Sequence, residues 1–169
     1  MKSKTISQAV RGQKTWIEYE RQDLRHLDDQ ELLDEEEIIN ACDSQENAIS
    51  LIHNKLNVKN GLCILESPIG KVVVHESTIP HIVEKRRDAR ERYLNFAIST
   101  ILNPYEIYDV EYDDGSVRRV FIGAFKGKRQ MLAIAVKQED EQRWLWNFMH
   151  CDAKKLNKHR NGHLVYSRN

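Results

Sequence analysis

Hydrophobic positions follow two rhythms along this chain, one before about residue 104 and one after it. Up to residue 102 they recur mostly at helical spacing. The stretch from about Trp16 to Asn40 reads as helix: "HLDDQELLDEEEIINACD" offers Asp28 as N-cap, acids through the early turns, and apolar Leu32, Leu33, Ile38 and Ile39. A second, shorter helix covers "SQENAISLIHNKL", capped by Ser44, with Ala48, Leu51, Ile52 and Leu56 on its buried stripe. Residues 1–15 are polar with weak periodicity and predict a loosely packed start. "LCILESPIGKVVVHES" interrupts with two short apolar runs about "SPIG", the pattern of a loose hairpin or of two small strands. From Ser77 or Thr78 to about Leu102 the spacing predicts the longest helix, with Pro80 in its first turn and "NP" as its stop. Ile82, Ala89, Tyr93, Ala97 and Ile101 share one side of it. At about 100° per residue Arg86 lands within that stripe and Arg90 at its edge.

After Pro104 the rhythm alternates. "EIYDVEY", "VRRVFIGAF", "MLAIAVKQ" and "RWLWNFM" are strand-like runs joined by "DDGS", "KGKRQ" and "QEDEQ", connections short enough for an antiparallel meander. The tail predicts a basic helix or loop, a turn at Gly162 and a short strand at "HLVY". The expected fold is therefore α+β: N-terminal helices followed by a four-stranded antiparallel meander. The expected division is an acidic helical region, 1–60, and a second domain, 61–169.

Composition adds little until it is divided. Hydrophobic residues make up 40% and charged residues 31%, enough for one buried core and a soluble surface. No run approaches the ~20 apolar residues of a membrane span, and no secretory signal is evident, so a cytoplasmic location and no membrane partner are expected. The three cysteines, Cys42, Cys63 and Cys151, are too few and too scattered for a disulfide framework. The zero net charge hides a split: residues 1–75 carry 9 Lys/Arg against 13 Asp/Glu, and residues 76–169 carry 17 against 13. An acidic stretch from Asp28 to Glu37 folding back over a basic site is one expectation of that split.

The chemistry candidates sit in the basic half. "IPHIVEKRRDARERY" places His81 ahead of five Lys/Arg in eight positions, two of them on the inward side of the expected helix. Imidazole is the side chain that trades protons near neutral pH, and guanidinium holds phosphate through paired hydrogen bonds. By strand alternation Arg119 lies with Phe121, and Arg118 with Val120 and Ile122. The same alternation sets Asn147 beside Leu145 and Met149, with Trp144 and Trp146 on the other face. An amide inside an apolar strand either ties a neighbouring segment or faces a wet cleft. Cys151, His159 and His163 lack the paired-cysteine spacing of a zinc site, and no glycine-rich phosphate loop is present, so neither metal nor cofactor is expected. The tryptophans and tyrosines read as core rather than as a base-stacking platform.

As a string, "SPIGKVVVHE", "HIVEKRRDARERYLNFAISTILNPYEIY", "VFIGAF" and "HRNGHLVY" resemble the phage branch of the barnase–EndoU–colicin–RelE-like nucleases. Such domains end Mu F-type phage head morphogenesis proteins and occur in some bacterial toxins. The most specific pieces are "TILNPYEI" and the Arg-x-Gly-x-Leu-x-Tyr close. The resemblance implies a nuclease domain over 61–169 and metal-independent RNA cleavage by 2′-OH attack. It implies His81 as acid/base, with Arg86, Arg90 and Arg119 at the phosphate and Lys126 and Lys128 in support from the adjoining turn. Where related domains often carry Thr or Ser, this chain has Asn147, for which His150 could compensate. An inactive phage or mobile-element module that binds nucleic acid or protein is the alternative. The partners implied are RNA, an acidic immunity protein or antitoxin, and phage head proteins.

Overall fold

The alternating half folds as its pattern predicts. In the computed structural model, which describes residues 7–169, the strands β3 (Glu106–Glu111), β4 (Val117–Gly123), β5 (Gln130–Lys137) and β6 (Arg143–Cys151) form an antiparallel meander. The sheet does not stop at four strands. The predicted hairpin, β1 (Leu62–Ser67) and β2 (Gly70–His75), joins beside β6, and the terminal strand β7 (His163–Ser167) pairs with β3. The result is a seven-stranded mixed sheet in the order β1-β2-β6-β5-β4-β3-β7, whose one parallel pairing is β2 with β6.

Three helices cover one face. α1 (Gln45–Leu56) begins at Ser44, whose Oγ accepts the Asn47 N–H at 3.1 Å, and it ends at Asn57 in the left-handed region. Its Ala48, Ile52 and Leu56 pack with Ile79, Ile82 and Val83 of α2 (Ile79–Val83) and with Leu94, Ala97 and Ile101 of α3 (Leu94–Leu102). That core shares the sheet residues Ile107, Phe121, Ala133, Leu145 and Phe148. A smaller core on the opposite face joins Tyr108, Val120, Ile122 and Leu132 to Leu24 and to Leu156 of α4 (Ala153–Asn157). It covers the sheet on the β3–β4 side. No helix among the described residues is long and apolar enough to cross a membrane.

One predicted helix is absent and another is broken in two. Residues 16–40 form a strap with no α-helix: a hydrogen-bonded turn over 16–20, 3-10 turns at Leu24–His26 and Asp29–Glu31, and irregular chain elsewhere. Asp28 sits before the second turn, where its N–H donates to Glu31 Oε2 at 3.3 Å. The reason lies in which way the leucines face. Leu32 packs against the smaller core and its neighbour Leu33 against the larger one, a two-residue alternation that no helix provides. Four consecutive acids, Asp34 to Glu37, also oppose helix formation by mutual repulsion. Of the expected loose start, residues 1–6 lie outside the described residues; residues 7–15 are tied to the sheet, with bridges from Ala9 to Tyr112 and from Thr15 to Asn161. Segment 7–60 thus contributes to both cores, on either side of the boundary drawn at residue 60.

The long helix breaks after Val83. Residues 84–89 form an irregular turn, Ala89 sits at φ +41°, and a 3-10 turn at Arg90–Tyr93 leads into α3. In an unbroken helix Arg86 and Glu91 would lie roughly 140° apart around the axis. Here they pair at 2.6 and 2.9 Å, and Glu91, completely buried, also accepts the Cys42 N–H at 2.9 Å. Satisfying that carboxylate requires the break.

Two quoted pieces of the sequence meet in the interior. Glu106 of "TILNPYEI" and Arg160 of "HRNGHLVY" are both fully buried and bonded at 2.5 and 2.9 Å, and Arg21 reaches Glu106 at 2.6 Å. Gly162 has φ +114°, and a Cβ there would collide with the Asp109 carbonyl. Removing one partner of a buried pair typically costs about 3–5 kcal/mol. Arg160→Met should therefore lower the unfolding free energy by about that amount, as read by urea denaturation.

Candidate active-site cleft

The parallel pairing of β2 with β6 lasts only two residue pairs, Val72 with Arg143 and Val73 with Trp144. Beyond Trp144 the strands part. α2 and the Arg90–Tyr93 turn pack against β6 in the gap. A bulge in β6 then decides what faces the opening. Ala135 pairs with Leu145 and Ile134 with Asn147, so Trp146 is one residue extra. Strict alternation would have set Asn147 beside Leu145. The bulge inverts the phase, so Trp146 and Asn147 leave together on the side away from the helices, while Leu145 and Phe148 stay in the larger core.

Asn147 is fixed by two donors. Its Oδ1 accepts from Arg90 Nη1 at 2.8 Å and from the Phe148 N–H at 2.9 Å. Because both partners can only donate, the amide orientation is determined: the oxygen takes both donors, and the NH2 has no hydrogen-bond partner among the described residues. Arg90 is nearly buried and also lies 3.5 Å from Asp88. The left-handed Ala89 just before it costs roughly 1–2 kcal/mol, backbone strain that aims Arg90 across the gap. Next to Asn147, the Trp146 ring meets the His81 imidazole at a centroid distance of 4.8 Å. His81 Nδ1 stands 3.4 Å from Glu84 Oε1, which leaves Nε2 as the nitrogen for a ligand.

A polar cavity of about 290 Å³ opens beside Arg90, lined also by Arg87, Asp88, Arg92, Met149 and His150. The His150 ring stacks on Tyr93 at 3.8 Å. Burial lowers its proton affinity below the ordinary 6.5, and the Arg129 and Arg92 charges lower it further against an opposing pull from Asp88. His150 therefore stands neutral in a basic setting.

The other predicted residues lie elsewhere or are committed. The Arg86 guanidinium is held by Glu91 and by the Cys42 carbonyl at 2.8 Å. Arg119 makes a paired contact with Asp109 across the β3–β4 ladder, at 2.9 and 3.1 Å. Lys126 bonds Asp34 at 2.9 Å, and Lys128 lines a separate hollow with Asp152 and Lys154 beyond the Cys151 end of β6. His81, Arg86 and Arg119 do not converge; His81, Arg90, Asn147 and His150 are the predicted residues that gather along β6. The acidic stretch does not cover them. Glu36 bonds Ser99 at 2.5 Å and Asp34 bonds Lys126, so the strap runs along α3 and the β4–β5 turn. Among the described residues no group of three or more His, Cys, Asp or Glu is placed to hold a metal ion.

Sequence reasoning missed Arg87 and Arg92, which looked like plain solvated charge, and Trp146, which read as core. Its indole is 36% exposed. Only a signal for the bulge could have revealed it, and none is visible in "RWLWNFM".

Helices thus cover one face of a mixed sheet whose β6 carries arginines, an amide and imidazoles close by. The chain belongs to PBECR2, the phage-Barnase-EndoU-ColicinE5/D-RelE like nuclease2 family, which it matches over residues 51–167. That span takes in all seven strands and leaves the strap outside. No curated protein and no solved structure matches the chain.

The depressed affinities have a definite sign. His150, and His159, which burial alone lowers, take up protons in the unfolded chain before they do in the folded one. Stability present above about pH 6.5 is thus lost as pH falls below it. For Glu91, burial pushes the carboxyl up, but bonds from Arg86 and the Cys42 N–H outweigh it and hold it below its ordinary 4.5, so a second loss follows at lower pH. Urea denaturation should show stability declining from about pH 7.5 to about pH 5.5. The decline should be shallower in His150→Gln.

Proposed function

We propose that this chain is a metal-independent endoribonuclease acting at the cleft along β6. The observation that carries the reading is the Asn147 amide. Arg90 and the Phe148 N–H fix its oxygen, so a preorganised N–H pair is left for a ligand beside the Arg90 guanidinium, one residue from the Trp146 ring that meets His81. Donors held in place before charge develops are what a crowded phosphorane requires.

In this reading the scissile phosphate occupies the basic cavity, where Arg90, Arg87 and Arg92 neutralise it. His81 Nε2 takes the proton of the ribose 2′-OH as the 2′-oxygen bonds to phosphorus. The bond from phosphorus to the 5′-oxygen breaks, and that oxygen receives a proton from the imidazolium or from solvent. The products are a 2′,3′-cyclic phosphate and a free 5′-hydroxyl. Need of a 2′-OH selects RNA over DNA. An acidic inhibitor would be drawn to the same basic rim. The commitment of Arg86 to Glu91 and of Arg119 to Asp109 favours a second reading, a module that binds RNA without cutting it.

The deciding test incubates the protein with a mixed RNA pool in excess EDTA. Fragments ending in 2′,3′-cyclic phosphate are expected, reduced about 10²–10⁴-fold in His81→Ala. Asn147→Asp keeps both accepted bonds but removes the donor, so it should lose cleavage while retaining the fold. Intact RNA with salt-sensitive retardation would establish the binding module instead.

A further inference from the structure

A second and larger cavity, about 750 Å³, lies on the open face at the other side of Trp146. Its walls come from the start of β4, the end of β5 and the start of β6, and include Val117, Arg118, Val136, Arg143 and Trp146. The volume is within the ~300–1,000 Å³ usual for small-molecule sites. Nothing in the cleavage chemistry above uses it.

The walls have a specific character. Trp146 and Val117 are 36% and 40% exposed, large apolar groups left open to solvent on one side of one hollow. The Arg118 guanidinium carbon lies over the Tyr112 ring, 3.9 Å from its centroid, a contact that restrains the side chain. Arg143 Nη1 is buried without a hydrogen-bond partner among the described residues. Asp109, a carboxylate near enough to affect Arg143, is already taken by both arms of Arg119. Burial and then the Arg119 charge disfavour the Arg143 charge, and Arg143 is among the residues that line the hollow. Exposed Trp146 beside Arg118, which Tyr112 holds, and Arg143 asks for a ligand with a π-face, carbonyl acceptors at its edge and a negative charge attached.

We infer that this cavity is a nucleotide subsite, in which a base stacks on Trp146 while Arg118 and Arg143 take its acceptor edge or its phosphate. The inference rests on the reading of the chain as an RNA-cleaving domain and names where the residue next to the scissile phosphate goes. Trp146 and Asn147 are consecutive, and Trp146 also touches His81. A base stacked there carries its ribose toward the groups that would act on it. Stacking tolerates any base, so the subsite supplies affinity and register more than sequence preference.

The test uses the full chain and needs no turnover. Tryptophan fluorescence is followed while each of the four nucleoside 3′-monophosphates is added, with inorganic phosphate as a separate probe. Saturable quenching by the nucleotides is expected, with affinity about tenfold or more weaker in Trp146→Leu and in Arg143→Gln. Trp146→Phe, which keeps a ring, should recover most of the affinity when binding is read by calorimetry. Equal binding of inorganic phosphate, or full nucleotide affinity in Trp146→Leu, would overturn the subsite. RNA cleavage is measured on the same samples. Nucleotide binding without cleavage would leave the subsite standing and sink the catalytic reading. Cleavage whose KM is untouched by Trp146→Leu, with no nucleotide binding, would do the reverse.

Discussion

A single buried carboxylate organises the far half of this molecule. Glu106, on β3, takes the Arg160 guanidinium through both oxygens and Arg21 through one, and thereby joins three segments far apart in sequence. The remaining Arg160 donors reach the Gln22 carbonyl and Asn157, and its plane lies over the Trp16 ring. Removing such a group from water is costly, and what it provides in return is a tie that holds the strap and the segment after α4 to β3. Burial, and next the Glu106 charge, also push the Tyr108 hydroxyl well above its ordinary range. With strap and α4 locked over β3 and β4, the open part of that face is the part over β5 and β6.

The cleft arises from a failure of sheet pairing at the opposite side. Had β2 followed β6 for its whole length, no room would remain for α2, the Arg90 turn or the cavity between them. The parting of the strands, the left-handed Ala89 and the buried Arg86–Glu91 pair form one arrangement. The ion pair holds the turn, the turn strains Ala89, and the strain directs Arg90 to Asn147. Arg86 thus tethers the turn from behind the cleft, through Glu91 and the Cys42 carbonyl.

Much of the fold was legible because its signals are local. The meander shows in alternation, α1 in its Ser44 cap, and the hairpin in "SPIG". The strap between Trp16 and Asn40 was not, because Leu32 and Leu33 mimic a helical stripe while serving opposite cores. The break after Val83 depends on Glu91 finding Arg86 and Cys42, a requirement of tertiary packing invisible to a hydrophobic period. Of the site, His81, Arg90, Asn147 and His150 could be named from residue type and position. Their grouping could not, since it depends on where β2 leaves β6 and on one extra residue in β6. The two motif pieces that best mark the family, by contrast, turn out to meet at Glu106 and Arg160, where they build the scaffold and not the cleft.

The bulge at Trp146 makes β6 a strand with a fixed phase. Side chains before it and after it are assigned to faces by counting, and one residue more or fewer in the span from Arg143 to Asn147 would reverse every assignment downstream. The amide would turn into the apolar layer, and Phe148 would be thrust into the opening. A point substitution along β6 leaves that phase intact, whereas a length change there shifts it. The spacing between Leu145 and Phe148 is therefore a better indicator of a shared cleft than the identity of the residues between them.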